Sequence, residues 1–163
     1  MIRDEEINRL IRYAQGMGLS VRFKPYVPFS KTAAEWSLDG KEVVVYTSSS
    51  DSKLDMVLSL IHELGHHKGF IENGRKIDPK IEEAINDEEK AKSRYKVLQY
   101  EIEDSKHWVQ IYKDTDCRFN PKRLEKQREF DIWAYEVFYK TGKFPTCKAK
   151  KNKKRQLRER YGC

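Results

Sequence analysis

The stretch from residue 52 to 70, SKLDMVLSLIHELGHHKGF, constrains the fold of this chain more than any other. A serine-rich run over 48–52 offers N-caps just before it, and Gly69 is a residue that commonly ends helices. Its apolar residues recur at steps of three and four, which places them on one face of an α-helix: Leu54, Val57, Leu58, Ile61 and Leu64. The stretch therefore predicts an amphipathic helix that packs on a core through one face.

Two histidines of this helix stand in the pattern His62-Glu63-Leu64-Gly65-His66. Residues four apart on a helix are about 5 to 6 Å apart at Cβ, so both imidazoles can reach one tetrahedral metal ion. Glu63 then lies beside that ion, where it can act as a base toward a water molecule. The alternative is a pair of ordinary core or solvated histidines, but the helical context favours a metal site. His67 is predicted to be a solvated residue near the helix end.

The same stretch resembles the active-site helix of the zincin metallopeptidases. The run IHELGHHKG in particular resembles small bacterial and phage proteins of the ImmA/IrrE-like type. The resemblance covers residues 20–70 and, more loosely, 125–145. It implies a zinc cofactor, hydrolysis of a peptide bond in a protein substrate, and an edge strand that pairs with extended substrate.

A third metal ligand has to come from outside the motif, because catalytic zinc usually has three protein ligands and one open position. Glu129 is predicted, since it continues the apolar stripe of a helix that carries Trp133 and Val137. A lone carboxylate in such a stripe is costly unless it is paired or bound to metal. The run EFDIWAYEVF also resembles the third-ligand helix of the gluzincin group. Glu82 and Glu83 are alternatives, although the dipole of their own predicted helix is enough to explain them.

The rest of the chain predicts an α+β fold. Asp39-Gly40 between two β-rich segments is a strong hairpin signal. Together with the resemblance, the pattern predicts a zincin-like fold, in which a small, mostly antiparallel three-stranded sheet packs on the motif helix and long helices follow. The elements expected before that helix are a first amphipathic helix at 3–17 and strands at 21–24, 34–38 and 42–47, with a loop punctuated by Pro25 and Pro28.

Beyond the motif helix the chain is densely charged and predicted to be helical. Asp78-Pro79 and Asn120-Pro121 each put an N-cap residue before a proline at the first helical position. Residues 80–113 carry only a narrow apolar stripe, which predicts a long, mostly exposed helix or helical hairpin. We expect a helical insertion at about 76–118 within a metallopeptidase-like domain that spans 1–147.

Basic residues are concentrated at the end of the chain. Residues 148–163 hold eight Lys or Arg and one Glu, which accounts for the whole formal charge of +7. This predicted C-terminal tail can bind nucleic acid through phosphate contacts at 148–160, and it can equally be a solvated end that touches nothing. A nucleic-acid-binding protein with a structural or vestigial zinc site is therefore the alternative function.

Length and cysteine usage limit the remaining possibilities. A chain of 163 residues suits one domain. Cys117, Cys147 and Cys163 are scattered without CxxC spacing, which fits reduced thiols better than a disulfide framework. The sequence contains no run of eighteen apolar residues and no apolar leader at its start. A cytoplasmic protein without a membrane partner is expected.

Overall fold

The computed structural model describes residues 4–25, 33–48, 52–87 and 90–163, which form an α+β fold, as predicted. Contacts divide the chain into two compact units, 1–76 with 106–119 and 77–105 with 120–163. The elements in chain order are α1 (Asp4–Gly16), β1 (Ser20–Pro25), β2 (Ala34–Trp36), β3 (Glu42–Thr47), α2 (Lys53–Glu72), α3 (Pro79–Asn86), α4 (Ala91–Asp104), a 3-10 turn (Ser105–His107), α5 (Trp108–Asp114), α6 (Pro121–Thr141) and α7 (Cys147–Tyr161).

The first unit contains a three-stranded sheet in the order β1-β3-β2. β2 runs antiparallel to β3, with Trp36 opposite Val43, because a tight turn joins them. β1 lies on the other side of β3 and runs parallel to it, with Val21 also opposite Val43. The sheet is therefore mixed, whereas a mostly antiparallel sheet was predicted. β3 is the central strand and buries Val44 and Val45, as its run of β-branched residues indicates.

The turn between β2 and β3 lies against α2. The Gly40 amide donates to the Ser37 carbonyl over 2.8 Å, and Gly40 has a φ of 69°, in the left-handed region that favours glycine. A Cβ atom at this position would lie 2.9 Å from Cζ of Phe70 on α2. Only glycine therefore satisfies both the turn and the packing of the helix.

The motif helix α2 begins with a capping box. The Ser52 hydroxyl accepts from the Asp55 amide over 3.2 Å, while the Asp55 carboxylate accepts from the Ser52 amide over 3.0 Å. The helix continues past Gly69 to Glu72. Its buried apolar residues are Val57, Leu58, Leu60, Ile61 and Leu64. The predicted loop at Pro28 and the alternative caps Ser49, Ser50 and Asp51 lie outside the described residues.

The predicted insertion at 76–118 is divided between the two units, since 77–105 belongs to the second and 106–119 to the first. The segment 80–113, predicted as a long, mostly exposed helix or a helical hairpin, consists of α3, α4, the 3-10 turn and α5. Val97 and Leu98 of α4 are buried, so this segment has a wider apolar face than predicted. Asp78 and Asn120 do cap α3 and α6, as the proline after each of them predicts.

The predicted C-terminal tail forms helix α7 in the second unit. Thr146 caps its first turn by accepting from the Ala149 amide over 3.3 Å, and Gly162 ends it in the left-handed conformation. Leu157 is buried, so the segment is not a solvated end without contacts. Within the described parts of the chain, none of the helices has both the length and the apolar character needed to cross a bilayer.

Candidate metal centre

Helix α2 brings the two motif histidines together. The ring centroids of His62 and His66 are 4.9 Å apart, and the ring planes are inclined by 67°. His66 and the intervening Glu63 are buried, while His62 is partly exposed. This arrangement gives two imidazole donors side by side, with a carboxylate on the next residue of the same helix.

Glu101 of α4 is a third potential ligand, and sequence patterns did not single it out. One ligand atom from each of His62, His66 and Glu101 lies within 4.8 Å of the other two. Tetrahedral zinc bonds of about 2.1 Å hold ligand atoms roughly 3.4 Å apart, which is within the 4.8 Å limit of this group. Two imidazoles and one carboxylate form a donor set found in catalytic zinc sites that keep one position open. The chemistry of these three residues therefore fits a metal ion that accepts imidazole and carboxylate ligands, as zinc does.

A buried tryptophan lies beside each of the two histidine rings. The Trp36 ring, on β2, stacks on His66 at a centroid distance of 6.3 Å and an angle of 29°. The Trp108 ring, at the start of α5, lies 5.1 Å from that of His62. These flat apolar surfaces restrict the rotation of both imidazoles. The burial of Trp36 follows from strand alternation, because it shares one face of β2 with Ala34.

His67 is fully buried, and the prediction that it is solvated is wrong. The Trp36 indole N–H donates to its Nδ1 over 3.3 Å, so Nε2 carries the hydrogen and donates to the Met17 carbonyl over 3.3 Å. Burial lowers the pKa of His67, which favours the neutral ring. The prediction failed because α2 extends to Glu72, which leaves His67 inside the helix. His67 links α2 to β2 and thereby supports the tryptophan that lies on His66.

Glu129, the predicted third ligand, has other partners in the structure. Its carboxylate accepts from Lys153 over 3.1 Å, from Arg160 over 2.6 Å and from the Tyr161 hydroxyl over 3.1 Å. Burial raises the pKa of Glu129, but these hydrogen bonds lower it more, and the net pKa is below the usual value. Among the described residues, Glu129 is not part of the group that could hold a metal. Hydrogen bonds from the cations of α7 offset the free-energy cost of placing the Glu129 carboxylate in an apolar stripe.

The alternatives Glu82 and Glu83 are both exposed on α3. Neither belongs to the metal-ligand group found in the described ranges. Their position in the first turns of a helix agrees with the favourable interaction between acidic side chains and the helix dipole.

The replacement Glu129→Gln is expected to lower the free energy of unfolding by up to about 1 kcal/mol at pH 7, because it removes the charge that Arg160 and Lys153 bind. The folded-state pKa of Glu129 lies below its unfolded value, so this stabilisation is present above a pH of about 4.3 and is lost as the pH falls through the folded pKa. Urea unfolding at pH 7 and at pH 3 measures the difference. Glu125→Gln, at an exposed position one turn earlier on α6, is the matched control. Equal losses in the two variants at pH 7 would show that the network around Glu129 does not stabilise the protein.

Comparison of the chain with known protein families, with characterised proteins and with solved structures finds no match.

Proposed function

We propose that this chain is a zinc-dependent metallopeptidase of the zincin type, in which His62, His66 and Glu101 bind the metal. The observation that carries the proposal is the set of ligand atoms within 4.8 Å of one another, two of them from an HExxH helix. The third ligand is assigned to Glu101 because its carboxylate belongs to this group of ligand atoms, whereas that of Glu129 does not and is bound by Lys153 and Arg160.

Glu63 is the general base of the proposed reaction. A bound zinc ion would supply Lewis acidity, which lowers the pKa of a coordinated water to about 7 and polarises the scissile carbonyl. Glu63 would take the proton from the attacking water and pass it to the leaving amine. Its side chain is buried, and exclusion of bulk water strengthens its interaction with the developing charge. Trp36 and Trp108 would hold the imidazoles in the orientation that binding requires.

The substrate would be an extended segment of a protein. Among the described strands β2 lies at an edge of the sheet, where a further strand can add through main-chain hydrogen bonds. Trp36 of this strand stacks on His66, so the edge is next to one of the proposed ligands. A peptide paired with β2 would thus run close to His66. In this form of binding the affinity comes from hydrogen bonds to the peptide main chain, which every peptide sequence can make.

Metal removal tests the proposal on the whole protein. We expect one zinc per chain by elemental mass spectrometry, cleavage of a mixed peptide library by the loaded protein, loss of cleavage after dialysis against a chelator, and recovery when zinc is restored. His107→Ala is the control, because it removes a histidine outside the proposed ligand group and leaves the motif intact. It should bind zinc and cleave peptide as the unmodified chain does. Cleavage that persists in metal-free protein, or failure to bind zinc at one per chain, would overturn the proposal.

A further inference from the structure

Six of the eight basic residues of α7 fall into two sets with different surroundings. Lys153 and Arg160 bind Glu129. On the outer side, exposed residues follow one another at steps of three, four and three, which places them along one face of the helix. We name this set the basic stripe, and its members are Lys148, Lys151, Arg155 and Arg158.

Contacts within the second unit fix the orientation of α7. Leu157 is buried, and the Tyr161 hydroxyl adds a hydrogen bond to Glu129. The ammonium of Lys154 lies 5.1 Å from the centre of the Phe130 ring, and that of Lys153 lies 5.9 Å from the Trp133 ring. With these residues held by α6, the four residues of the basic stripe extend from one face of a helix whose orientation within the second unit is fixed.

We propose that the basic stripe binds the phosphate backbone of double-stranded nucleic acid without regard to sequence. From Lys148 to Arg158 the helix rises about 15 Å, so the four charges form a row comparable in length to several phosphates of one strand. Lysine and arginine are the usual phosphate ligands, and their binding releases counterions from the duplex. The basic stripe contains none of the proposed metal ligands, so this binding surface is independent of the proposed protease activity.

The surface of α7 favours a duplex over other polyanionic partners. Single-stranded nucleic acid is usually held by aromatic side chains on which bases stack, and between 148 and 158 α7 has no aromatic residue. Binding of an amphipathic helix to a membrane surface needs an accessible apolar face, whereas Leu157 of α7 is buried. An acidic protein segment is the remaining competitor, and the experiment below separates it from nucleic acid.

The test measures binding of the full chain to a labelled DNA duplex of about 20 base pairs by fluorescence anisotropy at several salt concentrations. Neutralising four phosphates predicts that log K falls with log salt with a slope of roughly −3 to −4. The variant carrying Lys148→Gln, Lys151→Gln, Arg155→Gln and Arg158→Gln should bind more than about tenfold more weakly and lose most of this slope. Circular dichroism confirms that the variant is folded.

The matched control changes the same number of charges elsewhere, at four exposed lysines outside α7: Lys24→Gln, Lys76→Gln, Lys80→Gln and Lys92→Gln. It should retain the affinity and slope of the unmodified chain. Equal weakening in both variants would overturn the proposal, since net charge alone would then explain binding. Stronger binding to a poly-glutamate peptide than to the duplex would also overturn it and would identify an acidic protein as the partner. Absence of duplex binding at low salt would overturn it directly.

Discussion

Glu63→Gln is expected to lower the rate of peptide hydrolysis by about 10²- to 10⁴-fold and to leave zinc binding unchanged. Glutamine has nearly the same shape as glutamate but cannot accept a proton at neutral pH, so the proposed base is lost. His62 and His66, which hold the metal in the proposal, remain in place. A variant that loses hydrolysis but keeps zinc therefore shows that Glu63 acts as the base and not as a metal ligand.

The measurement compares initial cleavage rates and zinc content of the Glu63→Gln protein with those of Glu72→Gln, an exposed position on the same helix. The control should match the unmodified chain in both properties. If the Glu63→Gln variant cleaves peptide at the unmodified rate, another group activates the water and the proposed role of Glu63 is excluded. If it loses zinc as well, Glu63 acts at the metal and not as the base.

Glu101→Gln is expected to weaken zinc binding by more than about 100-fold, because loss of even an outer-shell partner costs 10- to 100-fold and Glu101 is proposed as a direct ligand. The variant preserves side-chain volume at a buried position, which limits damage to packing. Affinity is measured by competition with a chromogenic chelator, and circular dichroism at the same concentration confirms folding.

Glu129→Gln is the decisive comparison for the third ligand. It should retain the zinc affinity of the unmodified chain, because the Glu129 carboxylate is bound by Lys153 and Arg160. If zinc affinity falls in Glu129→Gln and is unchanged in Glu101→Gln, the ligand predicted from sequence is the correct one. In that case α7 would have to release Glu129 when metal binds.

Features that depend on neighbouring residues were predictable from the sequence. The cap of α2 at Ser52 follows from a small polar residue just before an apolar helical pattern. The starts of α3 and α6 at Pro79 and Pro121 follow from proline after a capping side chain. The positions of His62 and His66 on one helix follow from the same local pattern.

Features that depend on residues distant in the sequence could not be predicted from it. Glu101 and Glu129 both continue the apolar stripe of their helix, Glu101 together with Val97 and Leu98. The reasoning applied to Glu129 therefore applied equally to Glu101, and only the tertiary structure shows that α7 supplies cations to Glu129. The parallel pairing of β1 with β3 is a further example, because nothing in either strand specifies its direction relative to a strand that is not adjacent in sequence.

The close approach of Gly40 to Phe70 limits how this half of the protein can vary. Because the turn has room for a hydrogen atom and not for a methyl group, the aromatic ring lies directly on the backbone there. A side chain at residue 40 would displace the Phe70 ring, which contacts the Trp36 ring at a centroid distance of 5.4 Å. The identity of one turn residue is therefore coupled, through Phe70, to the packing of the tryptophan that lies on His66.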